Sequence, residues 1–358
     1  MDHGITESAK TSSRHRIDYL DGLRGLAIIL VIVFHAYTRW IELVPYGDAF
    51  ASFPLFKFGY LGVQLFFLIS GFVIFMSLDA SNGAFKFIYK RWLRLFPAML
   101  ACSILIFITA SFFHARPNGI PNPIDVVPGL TFISPYMWFK ATGIEMASLE
   151  NAFWSIYVEV KFYVLAAIVY FLLGRRYLVP TLFFFYVMWL LSSQFTENQF
   201  ANFVYSVSIL ASFQYFGWFA AGASYYLFTK SSHINWFYLG VLISAVSALV
   251  EGQFELQPSI AALIICAFFA LILRNSWLQN MLSNKQLLFM GFISYPLYLL
   301  HENMMIALII QLDDYLPYSS PLILPLISIT FVSLVAYIIA KYAEPRIKGW
   351  LLKLPVKK

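Results

Sequence analysis

Charge is what this sequence has least of. Only 12% of its 358 residues are Asp, Glu, Lys or Arg, while 60% are hydrophobic. Soluble domains carry about 25% charge, so a water-soluble globule would leave too much apolar surface exposed. Cysteine is nearly missing as well. Cys102 and Cys266 both fall inside apolar runs, which excludes a disulfide framework and reads as two small core residues. No internal repeat and no break in composition marks a second domain. The net charge of +6 would suggest nucleic acid in a soluble protein. Here the positive charges have a topological use, and no nucleic-acid partner is expected.

What is there is a series of long apolar stretches. A run of about 20 apolar residues can cross a bilayer as a helix. Ten such runs occur, at 18–39, 59–79, 97–114, 153–173, 177–193, 204–228, 234–250, 258–273, 287–311 and 322–343. The fold expected is therefore all-α: a polytopic bundle of about ten transmembrane helices in the lipid bilayer. Aromatic residues, 19% of the chain, suit a large lipid-facing and interfacial area. The first run follows a basic leader with Lys10, Arg14 and Arg16. It is too long for a signal peptide and lacks a small-residue cleavage site, so it reads as a retained span.

The basic residues test the count. With a cytoplasmic N-terminus, eighteen of the 24 fall in inner segments, including Lys86, Lys90, Arg91 and Arg94 in an inner loop over 80–97. Four fall in outer loops, and Arg24 and Lys161 lie within spans. This is the positive-inside bias. It predicts both termini in the cytoplasm, with a leader over 1–17, a ten-span domain over 18–347 and a basic tail over 348–358. One outer loop, 115–152, is proline-rich and partly apolar. It reads either as a cover packed on the bundle or as a lid or re-entrant segment shaping an outer pocket.

Ionisable residues inside the spans carry the chemistry. A helix rises about 1.5 Å per residue, so Arg24 sits roughly 8 Å and His35 roughly 24 Å from the inner face. Eleven residues, close to three turns, separate them on one face of the helix. Asp21 is within pairing reach of Arg24. Glu159 on the fourth span reaches roughly 24 Å and His301 on the ninth roughly 21 Å. Charged groups in lipid are costly and usually face a cavity or one another. His35, Glu159 and His301 are therefore expected to meet in one polar pocket. Glu302, next to His301, points about 100° away and is not expected to face it squarely. Each residue also has a plainer reading. Arg24 can snorkel to the headgroups, His35 can be an interfacial residue satisfied by a carbonyl, and His301 can be structural.

Several motifs in order give a resemblance: LDGLRGLAIILVIVFH (Leu20–His35), GVQLFFLISGF (Gly62–Phe72), RWLRLFP (Arg91–Pro97), WSIYVEVKFY (Trp154–Tyr163), ISYPLYLLH (Ile293–His301) and AEP (Ala343–Pro345). Over about residues 16 to 347 the chain resembles the acyltransferase-3 family of integral membrane acyltransferases, which includes O-acetylases of bacterial surface polysaccharides. Gln64 stands where Asp is common, so it is given no acid–base role, and Glu302 stands where Pro is frequent. Some relatives carry an added extracytoplasmic domain; this sequence reads as the stand-alone form.

The resemblance implies an acyl-CoA donor, most often acetyl-CoA, and a carbohydrate hydroxyl as acceptor. That acceptor is lipopolysaccharide O-antigen, exopolysaccharide, a lipid-linked precursor or a small glycoside. It implies a place in the cytoplasmic (inner) membrane, with other glycan-synthesis proteins as partners. The expected donor-binding residues are Arg24, Arg91, Arg94 and Lys90, since Arg pairs bidentately with phosphate oxygens. Ordinary positive-inside charge is the plainer reading of that cluster. His35 is expected to be the general base, with an acyl-histidine as a variant. Glu159 is expected to orient His35 or His301. Asp21, Ser70, Trp154 and Tyr295 are supporting pocket residues. Tyr295, Tyr157 and Gln64 are candidate oxyanion donors, and no metal is expected. The rival readings are a transporter, which the missing repeat disfavours, and a scaffold without chemistry, which leaves Arg24, His35 and Glu159 unexplained.

Overall fold

In bilayer hydrocarbon no water satisfies backbone N–H and C=O groups, so an apolar chain must close its hydrogen bonds within helices. The computed structural model, which describes residues 17–317 and 320–353, is all-helical among those residues. Lys10, Arg14 and Arg16 of the expected leader and Lys357 and Lys358 of the tail lie outside them. The long helices, in chain order, are α1 (Asp18–Phe34), α2 (Gly62–Asp79), α3 (Ala84–Thr109), α4 (Trp154–Ile168), α5 (Leu178–Ser193), α6 (Gln199–Ala211) and α7 (Phe216–Ser231). They continue as α8 (Ile234–Glu251), α9 (Leu256–Ile272), α10 (Ser276–Leu282), α11 (Lys285–Asp313), α12 (Ile323–Ile338) and α13 (Glu344–Lys353). Among the described residues eight helical segments are long and apolar enough to cross a membrane, or up to ten if each of two bent pairs counts as one span.

The bends fall on the expected sixth and eighth spans. α6 and α7 meet at 72° and α9 and α10 at 107°. Ser212 in the first bend is left-handed, with φ 65°. Breaking a helix there frees carbonyls, and Lys161 of α4 takes one: its Nζ donates to Leu210 O at 2.8 Å and to Ser212 Oγ at 3.0 Å. A lysine inside a span thus acts as a brace for a neighbouring bend.

The third span differs most from expectation. Residues 84–96 are no loop but the opening turns of α3, which runs on through Pro97 to Thr109. Lys90, Arg91 and Arg94 therefore sit on a rigid helix at one end of the bundle. The expected boundary at residue 347 falls inside α13.

Burial separates centre from periphery. The most apolar window of the α11 span is 83% buried and that of α2 78%, against 28% for the α5 and α8 spans. α1 crosses α11 at backbone contact. A Cβ on Gly25 would stand 2.2 Å from Leu287 O, and one on Gly291 2.0 Å from Asp21 O. Such small-residue crossings let membrane helices pack by van der Waals contact. This crossing brings His35, just past the end of α1, against His301 of α11.

Two polar clusters brace the ends. At the end holding Lys90 and Arg94, Asp79 accepts from Arg175 Nε (2.9 Å) and from the hydroxyls of Tyr170 and Tyr226 (2.8 Å each). At the opposite end the 115–152 loop packs as a cover. Arg116 Nη2 donates to Leu149 O (2.9 Å) and lies 3.9 Å from Glu150. Glu150 accepts from the backbone N–H and side-chain amide of Asn303, at 2.8 Å each. Burial pushes the Glu150 carboxyl well up, against the pull of Arg116. The last residues of this loop, Asn151 and Ala152, reach the rim of a cavity.

Candidate active site

The helix of α1 widens at His35–Arg39 into a single π turn, a distortion frequent at functional sites. Thr38 Oγ1 and the Tyr46 hydroxyl each bond a carbonyl of this segment, on Phe34 and Ala36 respectively. The His35 side chain is held in place by three partners. Its Nδ1 is 2.9 Å from Val31 O and 3.2 Å from His301 Nε2, and its Nε2 is 3.8 Å from Glu302 Oε1. The two imidazoles meet edge to face at 86°. His301 is fully buried, and its Nδ1 is 2.9 Å from Tyr298 O.

These partners decide the tautomers. A carbonyl oxygen only accepts, so in the neutral rings both Nδ1 atoms carry hydrogen. His301 Nε2 is then a bare acceptor for His35 Nδ1–H. His35 Nε2 is left as the basic nitrogen of the pair, next to a carboxylate.

That carboxylate is Glu302, not Glu159. The expectation that Glu159 pairs with either imidazole does not match the geometry. Glu159 Oε1 accepts from Ser70 Oγ at 2.6 Å and from the Tyr163 hydroxyl at 2.5 Å. Tyr163 is one turn along the same helix, and the two bonds turn the side chain toward a different cavity. Helix rise gives height; it says nothing about which neighbour a side chain faces. Glu302 diverges from His301 by about 100°, and His35 occupies the gap between them, one ring edge toward each. The other Glu302 oxygen accepts the Ala152 N–H at 2.8 Å, tying the pair to the end of the covering loop. Adjacency to His301 was the available signal for Glu302.

Cavities follow one another through the bundle among the described residues. A basal one of about 560 Å³ is lined by Asp21, Arg24, Lys90 and Arg94. Arg24 Nη1 bonds Asp21 at 2.6 Å, and Arg91 bonds Ser77. A narrow middle one, about 90 Å³, shares Arg24, Arg94 and Val73 with the first and adds Arg91, Ser70, Glu159 and Tyr295. The third, about 250 Å³, shares Val63 and Tyr298 with the middle one and holds His35 and Glu302. Arg24, Arg91, Arg94, Ser70, Glu159 and Tyr295 are thus brought together, and His35 and His301 are brought together, in separate zones. Trp154 stands in the histidine cavity, 38% exposed.

Of the expected oxyanion donors, Tyr157 faces Ser148 at 3.2 Å, away from these cavities. Tyr295 lines the middle cavity, and its buried hydroxyl has no hydrogen-bond partner among the described residues. Gln64 is in the histidine cavity, its amide nitrogen given to Glu251 at 2.8 Å. Tyr298 was missed. It sits three residues before His301, on the same face, and its hydroxyl donates to Ala152 O at 3.0 Å where the two upper cavities join. Among the described residues no three His, Cys, Asp or Glu side chains converge as metal ligands.

A histidine pair, one ring fully and one largely buried, at the head of a line of cavities with an arginine-rich base, all within apolar helices, defines a multi-pass membrane protein with a polar interior. A family model described as an acyltransferase domain matches residues 17–341, and the chain belongs to that family, acyltransferase-3. It is similar to the peptidoglycan O-acetyltransferase OatA of Listeria monocytogenes, 28% identical over 167 residues, covering 43% of this chain and 24% of that protein. It is also similar to O-acetyltransferase OatA of Staphylococcus aureus, 28% identical over 179 residues, 46% of this chain and 27% of that one. A second Staphylococcus aureus protein, provisionally named an O-acetyltransferase, is 24% identical over 325 residues, 79% of this chain and 49% of its own length. The chain thus spans between about a quarter and a half of the length of these curated relatives. No solved structure matches it.

Proposed function

We propose that this chain is an O-acyltransferase that moves an acyl group, acetyl by preference, from acyl-CoA at the arginine end to a carbohydrate hydroxyl at the histidine end. The observation that carries this is His35 Nε2, a basic nitrogen facing a cavity that shares lining residues, step by step, with the cluster of Arg24, Arg91 and Arg94.

Acyl-CoA brings phosphates and a long thin arm. Arg24, Arg91, Arg94 and Lys90 hold the phosphates; Asp21 orients Arg24. Eleven residues separate Arg24 from His35, a rise of about 16 Å, which the pantetheine arm spans past Glu159. The thioester carbonyl then lies at the junction by Tyr298. His35 Nε2 takes the proton of the acceptor hydroxyl as that oxygen bonds to the carbonyl carbon. The tetrahedral intermediate collapses, the C–S bond breaks, and the Nε2 proton passes to the leaving sulfur. His301 holds the ring through His35 Nδ1, and Glu302 balances the imidazolium, roles that a single acid fills in a Ser-His-Asp triad.

The arginine end is then the cytoplasmic one, as the positive-inside bias favours, with both termini cytoplasmic in the inner membrane. Acceptors are surface or lipid-linked glycans, and glycan-synthesis enzymes are the natural partners. Multiple spans, intramembrane charges and an outer pocket are features that an exporter would share. The test is purified protein with radiolabelled acetyl-CoA and lipid-linked or surface glycan. Ester on the glycan with equal release of free CoA supports transfer; solute movement without thioester consumption overturns it.

A further inference from the structure

The histidine cavity carries more than proton transfer needs. Besides His35 and Glu302 it is lined by Gln64, Glu251, Trp154 and Tyr215. Gln64 is 3% exposed, and its Nε2 donates to Glu251 Oε1 at 2.8 Å. That bond fixes the amide: the flipped orientation would set its oxygen against a carboxylate oxygen, acceptor on acceptor. Gln64 Oε1 is therefore an acceptor, buried and without a hydrogen-bond partner among the described residues. An unpartnered buried acceptor bears its full desolvation cost, and one that lines a cavity is satisfied by a donor inside it, water or the hydroxyl of a ligand that displaces the water. The Glu251 carboxylate beside it, bonded by the side chains of Gln64 and Trp218, still has lone pairs left to accept another donor. This wall asks for hydroxyl or amine donors.

The aromatic contribution is different. Trp154 and Tyr215 lie with ring centroids 5.1 Å apart, inclined by 38°, and the partly exposed Trp154 offers an apolar plane. A cavity of about 250 Å³ is below the usual range of about 300–1,000 Å³ for drug-sized ligands, so it takes one ring. A molecule with an apolar C–H face and a hydroxyl-bearing edge, about one ring in size, is a pyranose.

We propose that Gln64, Glu251 and Trp154 form the acceptor subsite for one pyranose residue. The ring lies on Trp154, two of its hydroxyls donate to Gln64 Oε1 and Glu251, and the hydroxyl to be acylated is presented to His35 Nε2. Gln64 and Glu251 are specificity residues and take no part in proton transfer. This assignment rests on the carbohydrate reading above.

The full chain in detergent is titrated with methyl glycosides of glucose, galactose, mannose and N-acetylglucosamine, following tryptophan fluorescence and, with acetyl-CoA present, free CoA. At least one glycoside is expected to shift the fluorescence and to accelerate CoA release. Glu251→Gln and Gln64→Leu should raise its apparent KM by at least about tenfold, with the KM for acetyl-CoA unmoved. Trp154→Phe should keep part of the binding that Trp154→Ala loses. The subsite is overturned if none of the glycosides binds while acetyl-CoA is still hydrolysed, or if Glu251→Gln moves donor and acceptor KM alike. Glycoside binding without thioester consumption keeps the subsite and overturns the acyl-transfer reading instead.

Discussion

The two ends of this bundle treat ionisable groups in opposite ways. At the arginine end Arg24, Lys90 and Arg94 line a wide cavity of about 560 Å³, and α3 carries most of the charge on its first turns. There Arg94 is exposed and Lys90 partly so, while Arg24 is held by Asp21 and Arg91 by Ser77. At the histidine end two imidazoles and a nearly buried carboxylate meet within 3.8 Å, with both Nδ1 atoms against carbonyl oxygens. Nothing there is free to turn. One end gathers several cations around an open cavity, the other fixes two ring nitrogens against carbonyl oxygens. A lesion at the first should weaken binding by degrees; a lesion at the second should stop chemistry.

Breaking the rigid end is the strongest test. His35→Ala removes the basic nitrogen, and turnover should fall by at least about 10²-fold, the low end of general-base contributions. Membrane insertion and protein level, checked by quantitative blotting of membranes, should stay as they were. Retained turnover would take His35 out of the mechanism.

Glu302→Gln comes next. It keeps the size of the side chain and an acceptor for the Ala152 N–H but removes the charge opposite Nε2. We expect kcat to drop by about ten- to a hundredfold, in keeping with the loss of a charge-assisted partner worth roughly 1.5–3 kcal/mol. The KM for acetyl-CoA should change little. Equal changes in both constants would reduce Glu302 to a loop anchor.

At the arginine end, Arg91→Ala with Arg94→Ala should raise the KM for acetyl-CoA by about tenfold while the acceptor KM holds. Acetyl-dephospho-CoA, which keeps the thioester and lacks only the 3′-phosphate, would show whether that phosphate is the one these arginines hold. An unchanged donor dependence returns these arginines to topology alone.

The smallest effect expected is for Glu159→Gln, and it sharpens the comparison most. The sequence placed Glu159 at the height of the histidines, whereas its partners are Ser70 and Tyr163 in the arginine zone. The change should therefore shift the donor KM by a few-fold and leave the kcat of bound substrates nearly intact. A large kcat loss with unaltered donor KM would restore the triad-like role.

Much of this protein could be read without coordinates. The scarcity of charge and the length of the apolar runs required membrane helices, and most spans were placed within a few residues. The α3 span was not, because Lys86 to Arg94 look like loop composition when charge alone is weighed; packing of alternate faces lets them extend a helix. The bend after Ala211 was also hidden, since a carbonyl freed in mid-span is tolerable only with a partner, here Lys161, which lies far away in sequence; after Ile272 the freed carbonyl is taken locally, by the side-chain amide of Gln279 at 2.9 Å. His35 and His301 were legible as a pair at one height. Glu302 was set aside by a correct angular argument applied to one helix, when the relevant object was a ring lying between two side chains.

The amino-acid sequence alone determined that the chain is a helical membrane protein, which ionisable residues it commits to the hydrocarbon, and how far along each helix they stand. Those follow from hydrophobic transfer and a constant helix rise. Only the tertiary structure decided what each of them faces. That depends on how the glycines of α1 and α11 let two backbones touch, and on which carbonyl, hydroxyl or carboxylate that contact brings within hydrogen-bonding distance.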